Sequence, residues 1–435
     1  MIIGINAAAA IKQPRTGVEE YTYQLIKHLT MLPEAREHRF ILFVPLDTNK
    51  ANIANNYANT ANKNLPQPLL KEGSRSLPLE LAPYLIRGRA GEDLFGFPLP
   101  ANFVIKELRW PLPFLWTQIR LAWEMLVRPP EVLFIPVHIL PFFHPKNSVV
   151  TIHGLEYEYF PEYYPWLHRT YLRWSTKYAL KHARKIIAVS ENTKQDLIKL
   201  YGGDTSKIEV VHHGIINPPQ PSFKKEGVEK DSSLFKGRLG GIFKEGEREV
   251  RRPYLLYIGR IETKKNIEGI LEAYKILKEK YQIPHQLVLA GAPGYGIKNI
   301  KNQISKIKNK EDIIFTGFIS EDTKWQLLKG ADIFLFPSFY EGFGLPVLEA
   351  QATGVPVVTS FNSSLPEIAG EGVLFVNPKN PTQIAEAVKK IIDDQNLRDK
   401  LIQSGYENVK RFSWEKCARE TLLRITNKYE YTDSS

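Results

Sequence analysis

The sequence predicts an α/β protein of two doubly wound domains, each with a mostly parallel sheet, facing one another across a cleft. Three observations predict it. Short apolar runs alternate with helical patterns up to about residue 217, and a second such series starts at about residue 253. A polar, aperiodic stretch separates the two series. The 435 residues also exceed what one ordinary core holds. Strands alternating with helices make a parallel sheet covered on both faces. Two such sheets bind ligands in the crevice outside the carboxyl ends of their strands.

The elements follow in order. In the first domain, residues 1–217, strands are expected at 2–5, 40–44, 132–135, 149–152, 186–189 and 208–211. A loop at 12–17 leads into a helix through Leu32. Residues 49 to about 100 are polar, Asn/Ala-rich and poorly periodic, which reads as an insertion. Residues 218–252 are rich in Lys, Glu, Gly and Ser and read as a linker. In the second domain, residues 253–411, strands are expected at 254–258, 286–290, 313–316, 333–336, 355–359 and 373–376.

Composition sets the outer bounds. With 43% apolar and 24% charged residues the chain is of the folded, globular class. A formal charge of +11 favours an anionic partner (nucleotide phosphates, an anionic membrane surface or nucleic acid) or serves general solubility. No nucleic-acid-binding motif accompanies it. The single cysteine, Cys417, excludes an intramolecular disulfide and a cysteine-based zinc site. No apolar run reaches the length of a membrane span, since residues 132–143 are broken by Pro136, His138 and Pro141. The apolar start reads as a buried strand rather than a signal peptide. The expected location is the cytoplasm, free or peripheral on the inner face of the membrane.

Residues 332–360 carry the sharpest chemical signal. A buried strand is followed by a loop with Gly342 and Gly344, then by Pro346, which suits the first turn of a helix because it lacks an N–H. Gly344 and Leu345 thus lie at a helix N-terminus, where unpaired N–H groups make an anion site. Glu341 precedes the helix and Glu349 lies one turn inside it. By spacing alone, the two carboxylates either bind hydroxyl donors or serve the helix dipole and solvent. A second segment, Gly259 to Asn266, follows a strand and brings Arg260 and Lys265 to the mouth of the sheet. Two cations there either neutralise a departing diphosphate or decorate a surface loop.

Together, Gly259-Arg260 with Lys265 and the run Glu341-Gly342-Phe343-Gly344-Leu345-Pro346-Val347-Leu348-Glu349 resemble the donor-site motifs of a large family. It is the family of retaining glycosyltransferases with the GT-B fold, two Rossmann-like domains, of the mannosyltransferase-like "glycosyl transferases group 1". The resemblance implies that Arg260 and Lys265 bind a diphosphate and that Gly344 and Leu345 add backbone donors. It gives Glu349 the ribose hydroxyls and Glu341 those of the transferred hexose. Gly259 belongs to the same donor loop, and Gly317 and Phe318 border the base. Arg15-Thr16-Gly17-Val18 resembles the family's glycine-rich loop opposite, although Glu19 and Glu20 follow where a second glycine is usual. His153 stands where the family places a histidine near the donor sugar, with Gly154 in place of the usual aspartate. The catalytic set implied is His153, Glu341, Arg260 and Lys265. The last helix, within residues 412–435, is expected to cross back to the first domain.

The family mechanism is retention by front-side attack, in which the leaving diphosphate takes the acceptor's proton and the protein supplies position and charge. No metal or other cofactor is expected beyond the nucleotide-sugar itself. The preferred donor is GDP-mannose, with glucose or another hexose from a UDP-sugar as the competitor. The expected acceptor is a saccharide or lipid-linked saccharide in surface polysaccharide synthesis. Two alternatives are an epimerase of the same fold and a non-catalytic nucleotide-sugar-binding protein. Finally, residues 165–185 read as a helix with Leu167, Tyr171, Trp174 and Tyr178 on one face and Arg169, Arg173, Lys177, Lys181 and Lys185 in a stripe. That pattern fits either an anionic membrane surface or a core-facing stripe with a solvated basic edge.

Overall fold

The computed structural model describes residues 1–46 except 14 and 16, residues 94–216 except 113 and 114, and residues 253–426. The linker expected at 218–252 and most of the insertion expected at 49–100 lie outside the described residues. The first lobe holds a seven-stranded sheet in the order β3-β2-β1-β4-β5-β6-β7. Its strands are β1 (Ile2–Asn6), β2 (Arg39–Leu46), β3 (Phe103–Arg109), β4 (Val132–Ile135), β5 (Ser148–Ile152), β6 (Lys185–Ala188) and β7 (Ile208–Val210). Every pairing is parallel. Both faces are covered, so runs such as Val-Leu-Phe-Ile in β4 are wholly buried instead of alternating. Helices α1 (Gly17–Leu29), α2 (Trp166–His182) and α3 (Glu191–Tyr201) connect or flank these strands.

Strand β3 escapes the sequence pattern. Lys106, Glu107 and Arg109 interrupt its apolar alternation, yet Lys106 is only 1% exposed. Its ammonium lies 2.6 Å from Glu124, which also takes Arg120 at 2.9 Å. A buried charge is tolerated because it is paired. The insertion also ends earlier than expected: Phe95 and Phe97 are buried in the core of this lobe.

The second lobe holds six parallel strands in the order β10-β9-β8-β11-β12-β13. They are β8 (Tyr254–Ile258), β9 (Gln286–Ala290), β10 (Ile313–Gly317), β11 (Ile333–Phe336), β12 (Val357–Ser360) and β13 (Val373–Val376). The site depends on helices α4 (Ile267–Glu279), α5 (Glu321–Gly330), α6 (Leu345–Ala352) and α7 (Leu365–Ala369). Strand β8 lies between β9 and β11, so the strand order reverses there. The loops leaving β8 and β11 therefore splay apart at the switch point, where open α/β sheets bind ligands.

Helix α8 (Trp414–Thr426) returns to the first lobe. Trp414, Cys417, Ala418, Leu422 and Ile425 join that lobe's core, against α1. Arg184 donates to the carbonyls of Arg424 and Ile425 at 2.9 and 2.8 Å, taking up unpaired C-terminal carbonyls. A small apolar cluster, including Val189, Ile215, Phe343 and Phe412, packs between the lobes.

Candidate active site at the lobe interface

The loop from β11 to α6 is held by both lobes. Gly344 is the N-cap of α6 at φ 116°, a conformation L side chains rarely adopt. Leu345 opens the helix and Pro346 occupies its first turn. The first N–H groups of such a helix have no partner within it. Gly342 packs directly on the end of β5, where an added Cβ would fall 1.7 Å from the His153 carbonyl oxygen. The Ser190 hydroxyl donates to the Gly342 carbonyl at 2.8 Å. The Tyr340 hydroxyl donates to Asp196 at 2.8 Å and accepts the Leu155 N–H at 3.1 Å. This loop therefore cannot shift without disturbing the first lobe.

Charged side chains line the crevice beside it. Lys265, in a turn after β8, places its ammonium 2.7 Å from Glu341. Burial lowers the Lys265 pKa, but Glu341 and Glu156 outweigh it and hold the ammonium above its ordinary value. Glu156 comes from the first lobe. It accepts from Lys264 and from the Tyr164 hydroxyl. Burial raises its pKa, and Lys265 and Lys264 more than reverse that, so the carboxylate stays ionised below its usual range. Arg260 is exposed and makes no ion pair among the described residues.

Glu349 lies one turn into α6, 2.6 Å from Lys324 on α5. Burial raises its pKa, and Glu321 and Glu20 add to the rise against the pull of Lys324. Glu20 belongs to the first turn of α1, the helix that Gly17 opens. Gly17 is exposed, with nothing within 4 Å of where a Cβ would stand. Thr16, expected beside it, lies outside the described residues.

His153 sits behind the glutamate loop. Its Nε2 contacts the Pro136 carbonyl at 2.7 Å, and its ring packs edge-on against Tyr21 and near His213. Burial, and then His138, push its pKa down to about 3, so the ring is neutral near pH 7. Gly317 ends β10 and accepts the Gly291 N–H at 2.9 Å, and Phe318 next to it is exposed. Gly259 donates its N–H to the Ala290 carbonyl at 2.9 Å, tying the β8 and β9 ends together.

The structure thus brings Arg260, Lys265, Glu341, Gly344 and Leu345 to one rim of the crevice, with Glu349 one helical turn behind. Sequence reasoning missed Glu156, Lys264, Tyr340 and Lys324. Glu156 lies three residues beyond His153, at a carboxylate-bearing loop the missing aspartate could have flagged. Lys324 carries no local signal, because its role follows only from α5 packing beside α6. Among the described residues, no group of three or more His, Cys, Asp or Glu side chains is placed to hold a metal ion.

A two-lobed sheet pair with a cation-lined helix N-terminus at the interface is the architecture of a GT-B glycosyltransferase, and the comparisons agree. Residues 15–216 match Glycosyltransferase Family 4 and residues 241–408 match Glycosyl transferases group 1. The chain is a glycosyltransferase, similar over its first lobe to the one family and over its second to the other. It is 27% identical over 428 residues to O-antigen chain mannosyltransferase B of Escherichia coli, covering 96% of this chain and 98% of that one. It is 24% identical to O-antigen chain mannosyltransferase RfbU of Salmonella typhimurium, covering 58% of this chain and 63% of the relative. Among solved structures, Anabaena Alr3699/HepE in complex with UDP and glucose superposes with TM-score 0.64 at 15% identity, covering 98% of this chain and 99% of that one. WaaG, a glycosyltransferase involved in lipopolysaccharide biosynthesis, gives TM-score 0.63 at 14% identity over 98% and 100%.

Proposed function

We propose that the chain transfers mannose from GDP-mannose, with retention of configuration, to a saccharide or lipid-linked acceptor during surface polysaccharide synthesis. The observation that carries this reading is the Lys265–Glu341 pair set beside the Gly344 end of α6. A diphosphate arriving at that helix end competes with Glu341 for Lys265. Once Lys265 turns to phosphate, the Glu341 carboxylate is freed to accept hexose hydroxyls. Arg260, Lys265 and the α6 N-terminus then stabilise the charge that grows on the leaving diphosphate. Glu349, anchored by Lys324, takes the ribose hydroxyls. The preference for mannose rests on the O-antigen mannosyltransferase that matches nearly the whole chain. In this reading protein cations supply the charge a metal would otherwise supply.

The test is a donor panel in which slow hydrolysis of GDP-mannose, UDP-glucose and other nucleotide-sugars is followed with and without membrane extract, in the presence of EDTA. GDP-mannose should be consumed fastest, chelator should leave the rate unchanged, and the product anomer should match the donor's. Absence of hydrolysis and transfer from every donor overturns the reading.

Peripheral membrane attachment through residues 165–185 belongs to the same proposal. The buried residues of α2 are Ser175, Thr176 and Ala179; of the aromatic stripe, Leu167 and Trp174 are exposed and Tyr178 packs partly against the core. Trp166 and Leu167 are 72% and 66% exposed, and exposed Phe142 stacks on Tyr178. An apolar surface of this kind, edged by lysines, suits an anionic lipid interface. Arg169 and Arg173 turn back to Glu158, which leaves Lys177 and Lys181 as the outward cations. Charge reversal at both should reduce sedimentation with anionic vesicles and leave that with neutral vesicles unchanged. Equal sedimentation of wild type and variant argues against attachment here. No helix among the described residues is long and apolar enough to cross a membrane.

A further inference from the structure

A cavity of about 1010 Å³ opens beside the glutamate loop, on the side away from strand β10. Both lobes build it. Tyr159, Phe160 and Tyr163 come from the first lobe, and Phe339, Phe361 and Phe375 come from the second. Its polar lining is mostly amide, from Asn362, Asn377 and Gln383, with Lys379 as the single charged group and no carboxylate. We infer that this cavity is the subsite for the acceptor's saccharide chain, a neutral, polyhydroxylated ligand two or more sugar rings long. The inference rests on the glycosyltransferase reading of the adjacent site.

Three observations support it. The first is chemical. Aromatic faces stack on the C–H faces of sugar rings, while amides exchange hydrogen bonds with hydroxyls without requiring a charge. A nucleotide diphosphate finds only Lys379 here, whereas Arg260 and Lys265 await it elsewhere. The second is continuity with the reacting centre. Asn362 donates to the Phe339 carbonyl at 3.0 Å, and the next residue, Ser363, accepts the Glu341 N–H at 3.0 Å. The cavity wall and the hexose-binding carboxylate thus share one loop. The third is an orphaned acceptor. Asn362 Oδ1 is buried with no hydrogen-bond partner among the described residues. Buried polar atoms are nearly always paired, so this one calls for a donor that the described residues do not provide. A sugar hydroxyl that displaces the flanking rings provides it.

The size fits an oligosaccharide better than a single hexose, because pockets of ~300–1,000 Å³ already enclose drug-sized ligands. Since Tyr159 to Tyr163 and Phe361 belong to different lobes, lobe closure tightens the walls on the bound chain. A growing glycan held here presents its end beside Glu341 and leaves by the open side.

The test uses the full chain and Phe361→Ala. Phe361 is 69% exposed and touches Phe375 edge-on, so its loss leaves the core intact. Calorimetric titrations with mannose- and glucose-based oligosaccharides, from disaccharide to hexasaccharide, are run beside titrations with GDP and UDP on the same samples. Expected is affinity that rises with chain length in the wild type and falls at least tenfold for the hexasaccharide in Phe361→Ala, with nucleotide affinity unchanged. Wild-type protein that binds nucleotide but no oligosaccharide overturns the subsite. So does equal hexasaccharide binding by wild type and variant. Loss of nucleotide binding in the wild type strikes instead at the glycosyltransferase site on which the inference rests.

Discussion

The two rims of the cleft are made of different materials. The second-lobe rim is a chain of ion pairs, Lys265 with Glu341 and Lys324 with Glu349. The first-lobe rim behind the glutamate loop is a stack of neutral rings, with His153 and His213 packed on Tyr21. From this side Glu156 reaches over to Lys264. On the proposed function, the charge of the transition state falls to the second lobe, and the first lobe sets the shape of the loop that presents it. Breaking an ion pair on one rim should therefore cost turnover, and altering the rings on the other should cost stability.

The largest effect is expected on the charged rim. Lys265→Ala and Arg260→Ala should each lower kcat by about 10²–10³, the usual cost of removing one group that stabilises developing charge. The melting temperature of Arg260→Ala should stay at the wild-type value, because that side chain is exposed and makes no ion pair among the described residues. An unchanged kcat in either variant removes that residue from the diphosphate grip.

The contrast also explains what could be read beforehand. The glutamate loop of the second-lobe rim is contiguous in sequence. Strand, loop, Glu341, Gly344, Pro346 and Glu349 fall within seventeen residues of Ile333, and one stretch carried both geometry and chemistry. Buried strands with unbroken apolar runs were legible for the same reason. Strand β3 was not, because its Lys106 is buried with its charge met by Glu124, a partner eighteen residues away. Lys324 and Glu156 were hidden likewise, since their partners Glu349 and Lys264 are distant in sequence. The stripe of α2 was ambiguous because periodicity marks an apolar face without saying what covers it.

Glu156→Gln probes a charge that crosses between the rims. The substitution keeps the shape and removes the anion that holds Lys264 and supports Lys265. A loss of about tenfold in kcat/KM, roughly 1.4 kcal/mol of transition-state stabilisation, is expected. Lys264→Ala in the same background should then add little, because the pair is already broken. Fully additive losses instead mean that the two residues act separately.

The neutral rim should show itself through pH. A histidine whose folded pKa is depressed stabilises the fold fully above its unfolded pKa, and the contribution is lost as pH falls towards the folded value. His153, at about 3, gives a window from about 6.5 downward. At pH 5 such a ring has forfeited roughly 2 kcal/mol, at 1.36 kcal/mol per unit. His213 lies well below its ordinary value through burial, then His153 and His212, and both its nitrogens are buried without hydrogen-bond partners among the described residues. His213→Phe keeps the stacking on Tyr21 and Phe343 and removes the titration. Melting curves should show the wild type losing stability between pH 6.5 and 4.5 and the variant losing less. Parallel curves mean that the ring does not resist protonation in the folded state.

The smallest effect is expected at Gly17, the first-lobe residue proposed to meet the donor. Nothing lies within 4 Å of an added methyl there, and the residue has no positive φ to strain. Gly17→Ala should therefore melt like the wild type, or slightly higher, since alanine favours the first turn of a helix. If the donor diphosphate comes up against the start of α1, the methyl stands in its path, and KM for the nucleotide-sugar should rise several-fold with kcat nearly constant. Uniform weakening of that kind marks a contact made equally in ground and transition states. Glu20, which already raises the pKa of Glu349 across the cleft, makes this end of α1 a poor neighbour for phosphate unless Arg15, 3.0 Å from Glu20, neutralises it. Arg15→Ala in the same assay should then raise KM further than Gly17→Ala. Should both variants keep the wild-type KM, the diphosphate is held from the second lobe alone.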